Sequence, residues 1–297
     1  MSLEKKYTDP AFLICRQNSG ASGGIGLEIS RLFLEQGAKV SAHYNSNHSP
    51  LQSLVSEYGG SNRIQTIQAN LTQESEVIEN VFNKSTSSFG EVHILVLNHA
   101  AIPLPDEPIW EMPLERWKNT IDTNVTASFI VAKEYVRRLQ NAPPTVKDNA
   151  SVVIIGSTAG KYGEAGHADY AASKSALMFG FTLSLKNEIV KVAPKGRVNS
   201  IGPGWVKTPK VEEKLNNPRS FYRAVATTPL KKVATPHDIA TQTVILASQK
   251  VSGHITGQVL MIEGGMEGKN SNSSALRDGL VDILSREAPQ PARGYLT

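Results

Sequence analysis

The feature that most narrows what this chain can fold into is a repeated alternation of short apolar runs with longer polar-apolar segments. Apolar runs recur at 11–15, 39–43, 63–69, 94–97, 152–155, 197–201 and 259–262. Their residues are β-branched or aliphatic at consecutive positions, so a strand built from them is apolar on both faces. That is the pattern of a parallel strand covered on both sides. The segments between them have helical spacing. Ile25, Ile29, Leu32 and Phe33 fall at i, i+4, i+7 and i+8, one face of a helix. Ser49 before Pro50 reads as an N-cap followed by a proline at the first helical position. Long helical patterns cover 114–140 and 168–192, and 236–247 opens with Thr235 as cap and Pro236 behind it. Alternation of this kind predicts an α/β fold with a parallel sheet between two layers of helices. The connections are short, which predicts one domain over 1–267. The polar 142–150 is a loop within it, and 268–274 (GKNSNSS) reads as a linker. The 268–297 extension carries Leu276, Leu280, Val281 and Leu284 at the spacing of a short helix.

Composition removes several classes of function. Hydrophobic residues make up 40% of the 297 and charged residues 20%, the balance of a globular chain. The net charge of +4 is not gathered into a basic run, so nucleic acid is not an expected partner. The single cysteine, Cys15, excludes an internal disulfide or a cysteine-rich metal site, and no metal is expected. No apolar run approaches the ~18 residues that a membrane span needs. The expectation is a soluble cytoplasmic protein that binds no membrane.

Three local patterns carry chemistry. Ser19-Gly20-Ala21-Ser22-Gly23-Gly24-Ile25-Gly26 follows the first apolar run and opens a helix. Glycines there let the backbone approach a pyrophosphate, and a helix N-terminus favours its charge; a tight strand-to-helix turn is the plain alternative. Tyr170 and Lys174 stand at i and i+4, on one helix face. An ammonium beside a phenol is expected to lower its pKa from ~10 toward the working range. Ser157, thirteen residues before Tyr170, ends the 152–155 run, where open α/β sheets hold their ligands.

Taken together, in order and spacing, the motifs resemble the short-chain dehydrogenase/reductase family. They are SGASGGIG at 19–26, NHAA at 98–101, Asn124 in DTNVTASF, Ser157 in IIGSTAG, YAASK at 170–174, NSIGPGWVKT at 199–208 and ITGQVLMIEGG at 255–265. The resemblance spans about residues 10–266. It implies a Rossmann-type, doubly wound, seven-stranded parallel sheet and a nicotinamide cofactor. It further implies that Tyr170 exchanges a proton with the carbonyl or alcohol oxygen. Lys174 would lower the tyrosine pKa and bind the nicotinamide ribose, Ser157 would polarise the substrate oxygen, and Asn124 would hold a water linking Lys174 to solvent. Cofactor contacts carried over in the same way fall on Gly20, Ser22, Gly24, Ile25 and Gly26, then Tyr44, Asn45 and Ser46, then Asn70 and Leu71. Asn98, Ala100, Tyr170, Lys174, Pro203, Gly204, Val206 and Thr208 complete them. Substrate contacts fall on Ser157, Tyr170 and Trp205.

Several positions depart from the family pattern. Arg16, Gln17 and Asn18 separate the first run from the glycine loop, Ser19 replaces threonine, NHAA lacks the usual glycine, and Asn70 stands where an acid is usual. A lengthened phosphate loop and weakened cofactor binding are expected. His99 reads as a cofactor-wall or packing residue. At the end of the second run, Tyr44 occupies the place of the acid that would bind the ribose of NAD, so NADP(H) is favoured over NAD(H). The 209–232 segment corresponds to a lid, carrying Phe221, Tyr222 and Val225 amid Lys207, Lys210, Lys214, Arg219 and Arg223. These cations suit either an acidic thioester partner or an ordinary solvated face. The expected function is an NADP-dependent carbonyl reductase or alcohol dehydrogenase, resembling 3-oxoacyl reductases, acting on a small carbonyl or alcohol as a homotetramer or homodimer. A fold that binds cofactor without turnover, or an epimerase or isomerase of the same family, are the alternatives.

Overall fold

Residues 11–15 and 24–268 are described by the computed structural model. Arg16, Gln17, Asn18, Gly20 and Ser22, together with the 269–297 part of the extension, lie outside the described residues. The expectations for a lengthened phosphate loop and a tail helix fall there.

Seven strands form one parallel sheet: β1 (Ala11–Cys15), β2 (Lys39–Tyr44), β3 (Ile64–Gln68), β4 (Val92–Leu97), β5 (Ser151–Ile155), β6 (Arg197–Pro203) and β7 (Val259–Ile262). The spatial order is β3-β2-β1-β4-β5-β6-β7. Pairing places Phe12 beside Val40 and Ile94, Ile94 beside Ser151 and Ser151 beside Arg197, with a one-residue register shift against β4 between Ala11 and Phe12. The order reverses between β1 and β4, and a crevice opens there at the carboxyl ends of the strands. All seven apolar runs became strands, with ends displaced by one or two residues.

The helices that cover the sheet are α1 (Ile25–Glu35), α2 (Gln52–Tyr58), α3 (74–89), α4 (114–139), α5 (Thr158–Tyr162), α6 (168–189), α7 (Pro209–Leu215), α8 (Pro218–Val225) and α9 (Pro236–Ala247). Strand alternation divides the core between two faces. Leu95, Val152 and Ile154 turn to α3, α4 and α6, where they meet Val81, Phe82, Val131, Tyr135 and Leu177. Ile94, Val96, Val153 and Ile155 turn the other way, onto Ile29 and Phe33 of α1 and Ile239 and Val244 of α9. Thr235 and Asp238 close a reciprocal capping box with Pro236 at the first helical position, as the sequence predicts. The Ser49 cap is corrected. Ser49 lies inside a 3-10 turn (Ser49–Leu51), and its N–H donates to Asn47 Oδ1 at 3.1 Å. The two long helices are not uniform either. α4 widens at Asp122–Thr126 and α6 at Ala176–Phe181 into i→i+5 turns, a local defect that often marks a functional site. Among the described residues no helix is long and apolar enough to cross a membrane.

Candidate active site

β5 ends at Ile155, and Ser157 becomes the N-cap of α5, its Oγ accepting the Ala159 N–H at 3.1 Å. A side chain at Gly156 would stand 2.4 Å from Met178, so the strand end is pinned against α6. Tyr170 and Lys174 share the buried face of α6, 8% and 2% exposed. Lys174 Nζ lies 5.8 Å from the Tyr170 ring centre and donates to Ile155 O at 2.7 Å. Asn124, in the widened turn of α4, is wholly buried. Its Oδ1 accepts from Ala101 N at 2.7 Å, and its Nδ2 donates to Ala101 O at 3.1 Å and Ser173 Oγ at 2.9 Å. The structure thus brings Ser157, Tyr170, Lys174 and Asn124 to the carboxyl ends of β4 and β5.

One electrostatic expectation is corrected. Burial pushes the Tyr170 phenol up to about 12, against a pull downward from the Ser157 hydroxyl. Lys174 does not lower it in this state because its ammonium is turned to the Ile155 carbonyl. Burial also depresses Lys174 itself, to about 8. A phenol held protonated is suited to donate a proton, and Lys174 is the group that titrates near the working range.

Close packing of α5 on α6 fixes this arrangement. A Cβ at Gly160 would lie 2.7 Å from the backbone of Lys174 and Ser175. Alanine normally stabilises a helix interior by ~1 kcal/mol over glycine. Here Gly160→Ala is expected to destabilise instead, by roughly 1–3 kcal/mol as for other overpacked sites, and to lower turnover by displacing Lys174. Thermal unfolding and kcat of the one variant check both.

The remaining candidates sit at strand ends. Gly24 caps α1 in extended conformation, and among the described residues no side chain caps the first-turn amides of Ile25 and Gly26, the place a phosphate would take. Tyr44 ends β2, with Asn45 and Ser46 behind it. Asn70 folds its Oδ1 back onto Thr72 N at 3.1 Å, next to wholly buried Leu71. Asn98 and Ala100 follow β4, and Pro203, Gly204, Val206 and Thr208 follow or end β6. Among the described residues, glycine amides, hydroxyls and an ammonium with one protein acceptor thus fall at the carboxyl ends of the strands, a donor set that suits a dinucleotide. Trp205 lines a cavity of about 130 Å³ with Ala224, Leu230, Glu263 and Met266; Ser157 and Tyr170 are not part of its lining.

Two groups escaped the sequence reading. Asp169, its side chain fully buried beside Tyr170, receives Thr120 Oγ1 at 2.7 Å and Arg116 Nε at 3.2 Å. Arg116 also reaches Glu107 at 2.9 Å and Pro105 O at 2.7 Å. The spacing of Arg116 and Thr120 places both on one helix face, but nothing local joins them to residue 169. His48 lies tilted against Tyr44, ring centres 5.0 Å apart and planes 53° apart, and its Nε2 meets Thr66 Oγ1 at 3.2 Å. Among the described residues no cluster of potential ligands could hold a metal ion.

A doubly wound sheet with a buried Tyr-Lys pair beside the carboxyl end of β5 points to a class of nucleotide-dependent enzymes, and comparison with known proteins narrows it. Residues 20–267 match the family model described as enoyl-(acyl carrier protein) reductase. The 3-oxoacyl-(acyl-carrier-protein) reductase of Vibrio cholerae is 34% identical over 249 residues, covering 84% of this chain and 95% of the relative. Those of Escherichia coli and Thermotoga maritima are 33% and 32% identical, with the same coverage. A crystal structure from Brucella melitensis, titled a short-chain dehydrogenase/reductase, glucose/ribitol dehydrogenase, superposes with a TM-score of 0.74 at 28% identity, covering 89% of this chain and 99% of its own. The chain belongs to the short-chain dehydrogenase/reductase family and is an oxidoreductase similar to the 3-oxoacyl reductases.

Proposed function

We propose that the protein is a cytoplasmic NADP(H)-dependent reductase that delivers hydride to a ketone, or removes it from the corresponding secondary alcohol, with 3-oxoacyl compounds as the leading substrate class. The observation that carries this reading is the gathering of Ser157, Tyr170, Lys174 and Asn124 on buried, mutually braced elements. The nicotinamide, when bound, supplies the hydride. Ser157 Oγ orients the substrate oxygen, and Tyr170, kept protonated by burial, donates the proton that the new alkoxide requires. Lys174 has one of its three N–H donors on Ile155 O, leaving donors for ribose hydroxyls. Asn124 ties the loop after β4 to α6. The domain boundary is placed at 267, with 268–297 as an extension. The first test is NADPH consumption with a 3-oxobutanoyl thioester and with simple ketones. No consumption with any of them returns the protein to the non-catalytic or isomerase alternatives.

The choice of NADP(H) is supported by the absence of an acid at 44–47. Tyr44→Asp introduces a charge that repels a 2′-phosphate and accepts from a 2′-hydroxyl. The ratio of kcat/KM with NADPH to that with NADH is expected to fall by at least about tenfold; an unchanged ratio removes Tyr44 from the selection.

A homo-oligomer accounts for the apolar side chains that α4 and α6 present outward. Leu114 is 66% exposed and Phe129 51%, with Trp117, Phe179 and Leu183 also exposed. Large apolar side chains left exposed on helices suit an interface between copies, and closed symmetry is the usual arrangement. Light scattering at micromolar concentration is expected to give two or four times the 32.2 kDa of the chain.

A further inference from the structure

His99 stands where the family motif carries its second asparagine, and the sequence reading left it as wall or packing. It follows β4, is wholly buried, and its Nε2 lies 3.1 Å from Ser128 Oγ. Ser128 is one turn beyond Asn124 on α4, and its hydroxyl donates to Asn124 O at 2.6 Å. These contacts fix the proton positions. A serine hydroxyl has one hydrogen, and the Asn124 carbonyl can only accept, so the hydrogen belongs to that bond. Ser128 Oγ must then accept, which puts the His99 hydrogen on Nε2 and leaves Nδ1 bare; among the described residues Nδ1 has no partner. The ring is neutral, since burial pushes His99 down to about 3, with Lys174 and His43 adding to the effect. These are the two titratable groups that act on it.

The same direction continues beyond Asn124. Asn124 Nδ2 donates to Ser173 Oγ at 2.9 Å, and the Ser173 hydroxyl donates to Tyr170 O at 2.8 Å. An unbranched line of donors therefore runs from His99 through Ser128 to the Asn124 main chain. A second line runs from the Asn124 side chain to the turn of α6 that carries Tyr170 and Lys174. Asn124 is held twice by the loop after β4, once through His99 and once by Ala101, and it in turn holds α6. Ser128, Asn124 and Ser173 are fully buried, where bonds in a connected network reinforce one another and a broken one is costly.

We propose that His99 is a positioning residue for the hydride-transfer site, acting through Ser128 to set Asn124 and, through Ser173, the height of Tyr170 over the substrate oxygen. It rests on the roles proposed above for Tyr170 and Asn124. It assigns the histidine no proton transfer; its work is to present one N–H at a fixed place.

The test uses the intact chain with NADPH and a 3-oxobutanoyl thioester, comparing Ser128→Ala, His99→Leu, His99→Gln, the Ser128→Ala/His99→Leu double variant and Tyr170→Phe. Ser128→Ala and His99→Leu are expected to lower kcat about tenfold each, the equivalent of one net buried hydrogen bond, with KM and NADPH affinity within about twofold. Glutamine, whose amide N–H reaches where Nε2 does, restores most of kcat. The double variant is no worse than either single one, because both break one line. Unchanged kcat, a loss confined to KM, a failed glutamine rescue or additive losses each overturn the proposal. Loss of activity in Tyr170→Phe with unchanged His99 and Ser128 variants overturns it while leaving the reading of the site intact. A second measurement needs no turnover: imidazole nitrogen NMR of histidine-labelled protein, assigned with His99→Gln. A bare Nδ1 and protonated Nε2 across roughly pH 5–9 is expected. The other tautomer, or titration near the usual histidine value of ~6.5, sinks it.

Discussion

Tyr170→Phe is expected to lose ~10²–10⁴-fold in kcat, the range that a positioned proton donor contributes, while folding and cofactor affinity stay near those of the parent. The ring keeps its place, since Tyr170 is 8% exposed and packed on the face of α6 that also holds Ser173 and Lys174. Removing a buried hydroxyl whose hydrogen bond is to the Ser157 side chain, with no main-chain partner among the described residues, costs little stability. The Tyr170 hydroxyl is the acid assigned to the reaction, with Ser157 Oγ orienting the substrate oxygen and Lys174 keeping one donor on Ile155 O. The accompanying pH profile separates two residues. Tyr170, pushed up to about 12, stays protonated throughout the working range. Lys174, held down to about 8, loses its charge within it. For reduction, kcat/KM of the parent is expected to be level below about 8 and to fall above it, as the ammonium disappears. A limb rising with pH instead would mean that deprotonated Tyr170 acts as a base in the assayed direction. Retention of more than about a hundredth of kcat by the phenylalanine variant would remove the acid role from Tyr170.

The inner strands β4, β5 and β6 were legible because they are buried on both faces. In β5, Val152 and Ile154 serve one core and Val153 and Ile155 the other, so no polar position interrupts the run and the signal is composition rather than period. The long helices were legible in extent and not in detail. Asp122–Thr126 and Ala176–Phe181 keep helical spacing within a residue while changing the hydrogen-bond step. Nothing in DTNVT separates such a turn from an ordinary one, yet it is this turn that aims Asn124 at Ala101 and Ser173.

The site shows the same division. Tyr170 and Lys174 were readable because i and i+4 on a helix share a face whatever the fold. Ser157 was readable because strand ends face the crevice. The expected lowering of the tyrosine pKa was not readable, because it depends on where the ammonium turns. Lys174 finds the Ile155 carbonyl, and burial then dominates both groups. His48 beside Tyr44 and Arg116 beside Asp169 were invisible for a related reason. The first depends on how the chain turns after β2, and the second on a contact between residues 53 apart. Such pairs leave no periodic trace, and only the packed sheet brings them together.

The Arg116–Asp169 contact carries the second large expectation: Asp169→Ala destabilises the protein by about 3 kcal/mol, the lower end of the range for a buried pair that loses one partner. The lower end applies because Arg116 keeps Glu107 and the Pro105 and Gly166 carbonyls, so its charge is not wholly orphaned. Thr120 Oγ1 loses its carboxylate and turns its one hydrogen to the Arg116 carbonyl at 3.0 Å. For a chain of this size the fall in Tm is expected to be roughly 10 °C. Turnover is expected to drop as well, because Asp169 is the residue before Tyr170 and joins the start of α6 to α4. Asp169→Asn, which can still accept from Thr120, is expected to lose less. The pH dependence has a definite sign. Burial alone would raise the Asp169 carboxyl, but hydrogen bonds from Thr120 and the Tyr170 backbone and the Arg116 guanidinium outweigh it and hold it below the usual carboxylate range. A depressed folded pKa contributes stability that is complete above the unfolded value of ~3.9 and disappears as pH falls through the folded one. The gap in stability between parent and Asp169→Ala should therefore be widest near neutrality and narrow as the pH drops below about 4. Denaturant unfolding of both proteins at neutral and acidic pH measures it, and a gap that is small at neutral pH or grows on acidification would mean that Asp169 does not hold α6 in place.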